Sequence, residues 1–164
     1  MAESTTEVTR TGDTELVVAR EFAAPRELVF RCFTSSEHLE RWWGPRLWPL
    51  AVSKMDFRVG GQWLYCMRGP DGTEAWGKAI YTEITPPERI VYTDYFADAT
   101  GTPQPGMPVM VLTMEFIDLG ERTRLSSHAR FATAADLDQT LAMGMVEGLT
   151  ETWDRLAEYL EVMR

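Results

Sequence analysis

The chain has little of the chemistry on which metal sites and disulfide frameworks depend. It contains two cysteines, Cys32 and Cys66, which are far apart in sequence, and two histidines, His38 and His128, which are also far apart. Two distant thiols form neither a zinc motif nor a disulfide framework, so we expect both to be reduced and buried. The histidines are too few and too far apart for a metal centre, and we predict no metal and no cofactor.

Positive charge is also in short supply. The chain has 16 Lys and Arg residues against 25 Asp and Glu residues, which gives a formal net charge of −9. An acidic surface repels the phosphates of nucleic acids and anionic lipid headgroups, so we expect neither as a partner. Long apolar runs and a signal-peptide pattern are missing too, which predicts a cytoplasmic protein without membrane insertion.

Apolar residues, by contrast, are plentiful enough for one core. They make up 45% of the 164 residues, a length that fits one domain of ordinary size. Residues 1–13 are rich in Thr and Glu and lack a hydrophobic pattern, which predicts a mobile N-terminal tail. Residues 14–164 are therefore predicted to form a single domain.

The hydrophobic period changes along the chain from helical to strand-like. A β-branched first strand over residues 15–22 precedes two short helices, and Ser35 or Ser36 can cap the second of them, over residues 37–43. From Trp48 onward the period is two, which predicts a series of strands. These strands cover residues 50–57, 62–68, 74–84, 89–96, 107–117 and 123–131.

An apolar stripe at helical spacing then predicts one long final helix, from Ala134 to Val162. Consecutive strands joined by short turns pair antiparallel, and six or seven of them twist into a curved sheet. The sequence thus predicts an α+β fold in which the sheet wraps around the C-terminal helix. A curved sheet and a straight helix do not match in shape, so side chains must fill the gap or a cavity remains.

Several short motifs occur in sequence along this order of elements. They are Ala24-Pro25-Arg26-Glu27, Trp42-Trp43-Gly44-Pro45, Gly60-Gly61-Gln62-Trp63, Met67-Arg68-Gly69-Pro70-Asp71-Gly72 and Gly144-Met145-Val146-Glu147-Gly148. Together they resemble the START-like (SRPBCC) superfamily, in the branch related to the activator of heat-shock protein 90 ATPase. The resemblance implies a helix-grip fold with a cavity between the sheet and the last helix. It leaves open a stress-related role, a contact with a chaperone and a homodimer.

The leading hypothesis is a binding protein whose cavity takes a small hydrophobic or aromatic molecule. The residues expected to line that cavity are Trp63, Tyr65, Met67, Tyr92, Met110, Met114, Gly144, Met145 and Gly148. A helical glycine costs about 1 kcal/mol relative to alanine, so the two glycines indicate either a ligand above them or close packing of helix on sheet. Methionine suits an adaptable pocket and equally fills an ordinary core.

Two other hypotheses remain open. If Ile90 points inward, Asp94 does so as well, and burial would raise the pKa of its carboxyl group. Asp94 with a tyrosine would then be the candidate base of a cyclase-type or hydrolase-type enzyme, although no catalytic residue is assigned and binding is favoured over catalysis. The third hypothesis is a chaperone-linked interaction module. Trp42 and Trp43 either both anchor the helix pair or divide between the interior and a partner surface.

Overall fold

The computed structural model describes residues 5–163, and its elements within that range are eight strands and four helices. The strands are β1 (Glu7–Arg10), β2 (Glu15–Phe22), β3 (Leu50–Met55), β4 (Gln62–Arg68), β5 (Glu74–Thr85), β6 (Arg89–Ala97), β7 (Val109–Asp118) and β8 (Thr123–Phe131). The helices are α1 (Arg26–Arg31), α2 (Ser36–Trp42), α3 (Ala134–Ala142) and α4 (Met145–Met163). None of these helices is both long enough and apolar enough to cross a membrane.

All the strands described form one antiparallel sheet in the order β1-β2-β8-β7-β6-β5-β4-β3. The meander from β3 to β8 pairs sequential neighbours, and β2 joins its far side by pairing with β8. The last helix lies against the concave face of this sheet. The predicted α+β helix-grip architecture is confirmed, with one strand more than the six or seven expected.

The extra strand is β1, which lies inside the segment predicted to be a mobile tail. All four of its residues are exposed, and it is held to β2 by a ladder in which Val8 pairs with Val18. An ion pair of 2.5 Å also joins Glu7 to Arg124. Backbone pairing at a sheet edge needs no hydrophobic alternation, which is why the sequence pattern indicated no strand within residues 1–13. Residues 1–4 of the predicted tail lie outside the described residues.

One indole ties the two short helices together, and a serine caps the second of them. Ser35 caps α2, its side-chain oxygen accepting a hydrogen bond from the backbone N–H of His38 at 3.3 Å. Trp42 is fully buried and donates from Nε1 to the carbonyl oxygen of Cys32 at 3.1 Å. Its ring packs edge-on against Phe33, with centroids 4.8 Å apart. The end of α2 is therefore fixed, and with it the position of the loop that follows.

The predicted single final helix is instead two helices. Met143 ends α3, and Gly144 follows with φ +88°, a left-handed conformation that stops a helix and that glycine adopts at no steric cost. Gly148, by contrast, lies within the first turns of α4 in ordinary helical geometry. The apolar spacing from Leu141 to Met145 continues across the break, so the period alone predicted one helix.

Three polar contacts hold the C-terminal half of α4 in place. Arg20, buried on β2, donates to Asp154 at 2.5 Å. Arg155 donates from Nη1 to the carbonyl oxygens of Trp43 and Gly44 at 3.1 and 2.9 Å. An ion pair between Arg46 and Glu158 ties the same loop to the helix. The residues Trp153, Leu156 and Leu160 are buried beneath these contacts.

We predict opposite effects on stability for alanine at the two glycines of the last helical segment. Gly144 has a positive φ, which a residue with a Cβ adopts only with strain. Gly144→Ala should therefore lower the free energy of unfolding by about 1 kcal/mol. At Gly148 the new Cβ would lie 3.6 Å from Pro45 Cγ, an ordinary contact, and helix propensity should raise stability by up to about 1 kcal/mol. Urea unfolding of both variants measures the difference, and shifts of the same sign would contradict this account of the helix break.

Candidate functional site

A partly enclosed cavity of about 290 Å³ lies between the concave face of the sheet and α4. Its walls come from β4, β6, β7, β8, the first half of α4 and the loop after α2. Eight of the nine residues proposed from the sequence lie on these walls: Tyr65, Met67, Tyr92, Met110, Met114, Gly144, Met145 and Gly148. The structure thus brings them together, while their contact with a ligand stays a prediction.

Trp63 is the ninth proposed residue, and it does not line the cavity. Its ring stacks on Tyr65 with centroids 4.4 Å apart, and only 4% of the residue is exposed. Its indole N–H donates to Ser53 Oγ at 2.9 Å. Trp63 points to the same side of β4 as Tyr65, but Tyr65 and Trp43 cover it, so it supports the wall from behind.

Trp43 and Pro45 are wall residues that sequence reasoning did not assign. They belong to the loop that Arg155 holds against α4, and Pro45 lies opposite Gly148. The pair Trp42-Trp43 therefore divides between the core and the cavity, and neither indole is exposed. The motif Trp-Trp-Gly-Pro carried a signal for a special role, but the sequence did not show which ring turns inward.

Other wall residues were missed for different reasons. Leu112 lies between Met110 and Met114 on the same face of β7, and Leu149 lies four residues after Met145 on α4. The hydrophobic period could therefore have predicted both as wall residues. Ser127 shares a face of β8 with Leu125 and Ala129, and Thr152 lies three residues after Leu149 on α4, but their polarity kept both off an apolar list. The cavity is thus mainly apolar, with a few hydroxyl groups among the side chains.

Size pairing between β4 and β5 shapes the floor of this cavity. The large residues of β4 face small ones on β5: Trp63 pairs with Ala79, Tyr65 with Gly77 and Met67 with Ala75. A Cβ at Gly77 would overlap with the Cζ and Oη atoms of Tyr65. Glycine at this position therefore lets the phenol lie across β5 and reach the next strand. Gly77 thus determines the shape of the candidate site, and the sequence analysis did not identify it.

The strand reached by Tyr65 presents Asp94. The phenol of Tyr65 donates to the carboxylate at 2.8 Å from Oδ1 and 3.1 Å from Oδ2. Ile90, on the same side of β6, is 2% exposed, so both residues point inward as the alternation predicted. A smaller cavity of about 80 Å³ adjoins the first one and shares Tyr65 and Asp94 with it.

Burial changes the proton affinity of this pair. Desolvation raises the pKa of Asp94 from 3.8 to about 7, although the hydrogen bond from Tyr65 acts in the opposite direction. Burial first, and then the nearby Asp94 carboxylate, raise the pKa of Tyr65 well above its ordinary value. Among the described residues that line the cavity, Asp94 is therefore the one whose charge can change near neutral pH.

The cysteines and histidines lie outside the cavity. Cys32 and Cys66 are free and buried, and desolvation raises the pKa of the Cys32 thiol to about 12. His38 contacts the Tyr159 hydroxyl at 2.8 Å, and His128 contacts Glu15 at 2.6 Å. Within residues 5–163 no group of three or more His, Cys, Asp or Glu side chains is placed to hold a metal ion.

The raised pKa of Asp94 gives the stability of the protein a defined dependence on pH. Between pH 4 and pH 7 the carboxyl is protonated in the folded state but ionised in the unfolded state, so this group's contribution to stability falls as the pH rises through that window. Asp94→Asn removes the dependence. The unfolding free energy of the variant minus that of the parent should therefore increase by about 1–3 kcal/mol from pH 5 to pH 8.

Urea unfolding at the two pH values measures this gain. Glu121→Gln, which neutralises an exposed carboxylate at the β7–β8 turn, is the matched control and should show no such gain. A difference between parent and Asp94→Asn that stays constant from pH 5 to pH 8 would contradict the raised pKa.

Comparison with known proteins relates this fold and cavity to a family. No functionally curated protein matches the chain. A protein from Arthrobacter aurescens, solved by NMR in solution, is 32% identical, with a TM-score of 0.88 over 94% of this chain and 91% of that one. Protein Ms6760 from Mycobacterium smegmatis is also 32% identical, with a TM-score of 0.87 over 96% of both chains. Protein NE0264 from Nitrosomonas europaea is 27% identical, with a TM-score of 0.81 over 94% of this chain and 98% of that one.

These neighbours share the sheet and helix arrangement described above, and the resemblance that the motifs indicated is confirmed. The sequence model of one family matches residues 23–161, which run from just before α1 into the last turn of α4. The chain belongs to the family described as activator of Hsp90 ATPase homolog 1-like protein.

Proposed function

We propose that this protein binds a small hydrophobic or aromatic molecule in the cavity between the sheet and α4. The observation that carries the proposal is the cavity itself, about 290 Å³ in volume and lined mainly by apolar side chains. Pockets for small molecules begin at roughly this size and have this kind of lining. Well-packed cores leave few voids larger than a water molecule, so a space of this volume favours a binding role.

The composition of the wall supports an adaptable pocket. Four thioethers line it, from Met67, Met110, Met114 and Met145. Methionine side chains are flexible and polarisable, so they adjust to ligands of different shape and make favourable contacts with aromatic rings. Gly144 and Gly148 contribute bare backbone on the helix side and keep the space open.

An uncharged aromatic probe tests the proposal. Saturating 1-methylnaphthalene should raise the melting temperature by several degrees, because a ligand bound only by the folded state stabilises that state. Gly148→Leu adds a side chain at the cavity wall and should remove most of the shift, while Gly148→Ala, which adds only a methyl group, should keep it. Absence of a shift with the parent protein would contradict a ligand-binding cavity.

A second candidate function is proton transfer within the same cavity. A carboxyl whose pKa lies near 7 suits a general base at neutral pH, and Asp94 has that pKa in a mainly apolar site. The ionised carboxylate would take a proton from the carbon next to a ketone. Tyr65 already donates to Asp94, so the donor to the enolate oxygen would be another hydroxyl of the wall, such as that of Tyr92.

Hydrogen–deuterium exchange separates this candidate from simple binding. If Asp94 is a base, the parent protein should accelerate exchange of the acidic carbon-bound hydrogens of 2-tetralone in D₂O, followed by NMR. Asp94→Asn should abolish the acceleration and Glu121→Gln should retain it. Exchange no faster than in buffer would exclude this activity for ketones of this size.

The chaperone-linked module receives less support than the two cavity functions. That hypothesis predicts a solidly packed interior, whereas the interior contains the cavity described above. A contact with a chaperone, a homodimer, a stress-related role and a cytoplasmic location remain predictions from composition and resemblance.

A further inference from the structure

The carboxylate in the cavity has no cationic partner. None of the described residues that line either cavity is Lys, Arg or His, and Asp94 is the one charged residue among them. Its hydrogen bonds come from the neutral phenol of Tyr65. A buried carboxylate without a counter-ion is unfavourable, and its desolvation is not balanced by one phenol.

Every element packed around Asp94 contributes neutral groups. The phenols of Tyr65 on β4, Tyr81 on β5 and Tyr92 on β6 are the titratable side chains that face it. Burial and the Asp94 charge raise the pKa of all three, so they stay neutral at physiological pH. From β7, β8 and α4 the cavity receives Met110, Ser127 and Thr152, which do not titrate.

The aromatic residues of the wall favour a cation beside that carboxylate. The rings of Trp43, Tyr65, Tyr92 and Trp153 line the same cavity as Asp94. The face of an aromatic ring attracts an ammonium group, more strongly where the site is shielded from water. A carboxylate and several rings around one apolar space therefore form a site that a cationic head group complements and an anionic one does not.

We propose that the ligand of this cavity is an apolar or aromatic molecule that carries a protonated amine, which pairs with Asp94, and that the corresponding carboxylic acids are rejected. The inference rests on the proposed binding function and adds the chemical class of the ligand. The apolar body would lie against the methionines and α4, and the ammonium group would supply the counter-ion that the wall lacks. An anionic ligand would meet Asp94 with no positive charge between them.

Because the ionisation of Asp94 is coupled to binding, the proposal predicts how affinity for the ligand changes with pH. In the protein without a ligand the pKa of Asp94 is about 7, and pairing with an ammonium group requires its ionised form. Affinity for an amine should therefore rise as the pH increases from 5 to 7, by up to about tenfold per pH unit, and level off above 7. The ammonium group keeps its proton over this range because the pKa of an alkylamine is near 10. A carboxylate ligand should show the opposite trend.

A matched series of naphthalene derivatives tests head-group preference on one apolar body. 1-Naphthylmethylamine, 1-naphthylmethanol and 1-naphthoic acid are titrated into the parent protein at pH 8, with affinity measured by calorimetry. We expect the amine to bind at least tenfold more tightly than the alcohol, and the acid more weakly than both. Asp94→Asn should reduce the amine to the affinity of the alcohol and leave the alcohol unchanged.

Glu121→Gln is the control for attraction between a cation and the acidic protein as a whole, and it should keep the amine preference. An amine that binds no better than the alcohol would overturn this inference and leave the proposed function standing. An amine preference that persists in Asp94→Asn, or that does not change with pH in the parent protein, would also overturn it. If none of the naphthalene probes binds, both proposals fail together.

Discussion

The position of α4 is the constraint on which the rest of the structure depends. Its C-terminal half is packed into the core and tied down by Arg20–Asp154 and by the bonds from Arg155 to the loop after α2. Its N-terminal half begins directly after the break at Gly144 and carries Gly148, so two positions facing the cavity have no side chain. A straight helix held at one end cannot follow a curved sheet at the other, and the cavity is the space that remains.

The polar centre of the cavity depends on the strands rather than on the helix. Tyr65 on β4 crosses β5 to reach Asp94 on β6, and this contact spans three adjacent strands of a hydrogen-bonded sheet. Strands paired in this way form a rigid support, whereas the opposite wall is built from a helix N-terminus and a loop. The site thus combines a polar group held by the sheet with a mainly apolar lining, which is the composition expected of a pocket for a small molecule.

Much of this arrangement could be predicted from the sequence, because strong hydrophobic periods fix which residues face inward. The strands after Trp48 and three of the four wall methionines, Met67, Met110 and Met114, follow directly from alternation. The break at Gly144 could not be foreseen, since the apolar stripe continues through it and only the backbone conformation reveals the stop. The position of Trp63 behind Tyr65, and of Trp43 in front of both, depends on packing across elements that no local pattern encodes.

The pairing of large residues on β4 with small ones on β5 has a consequence for how this sheet can change. Tyr65 occupies the volume that Gly77 leaves vacant, and Trp63 and Met67 likewise lie opposite alanines. Enlarging one member displaces the other, so tolerated replacements are compensating exchanges that conserve the summed volume of the two side chains. On the floor that carries Tyr65 we therefore expect replacements to occur as coordinated pairs rather than singly.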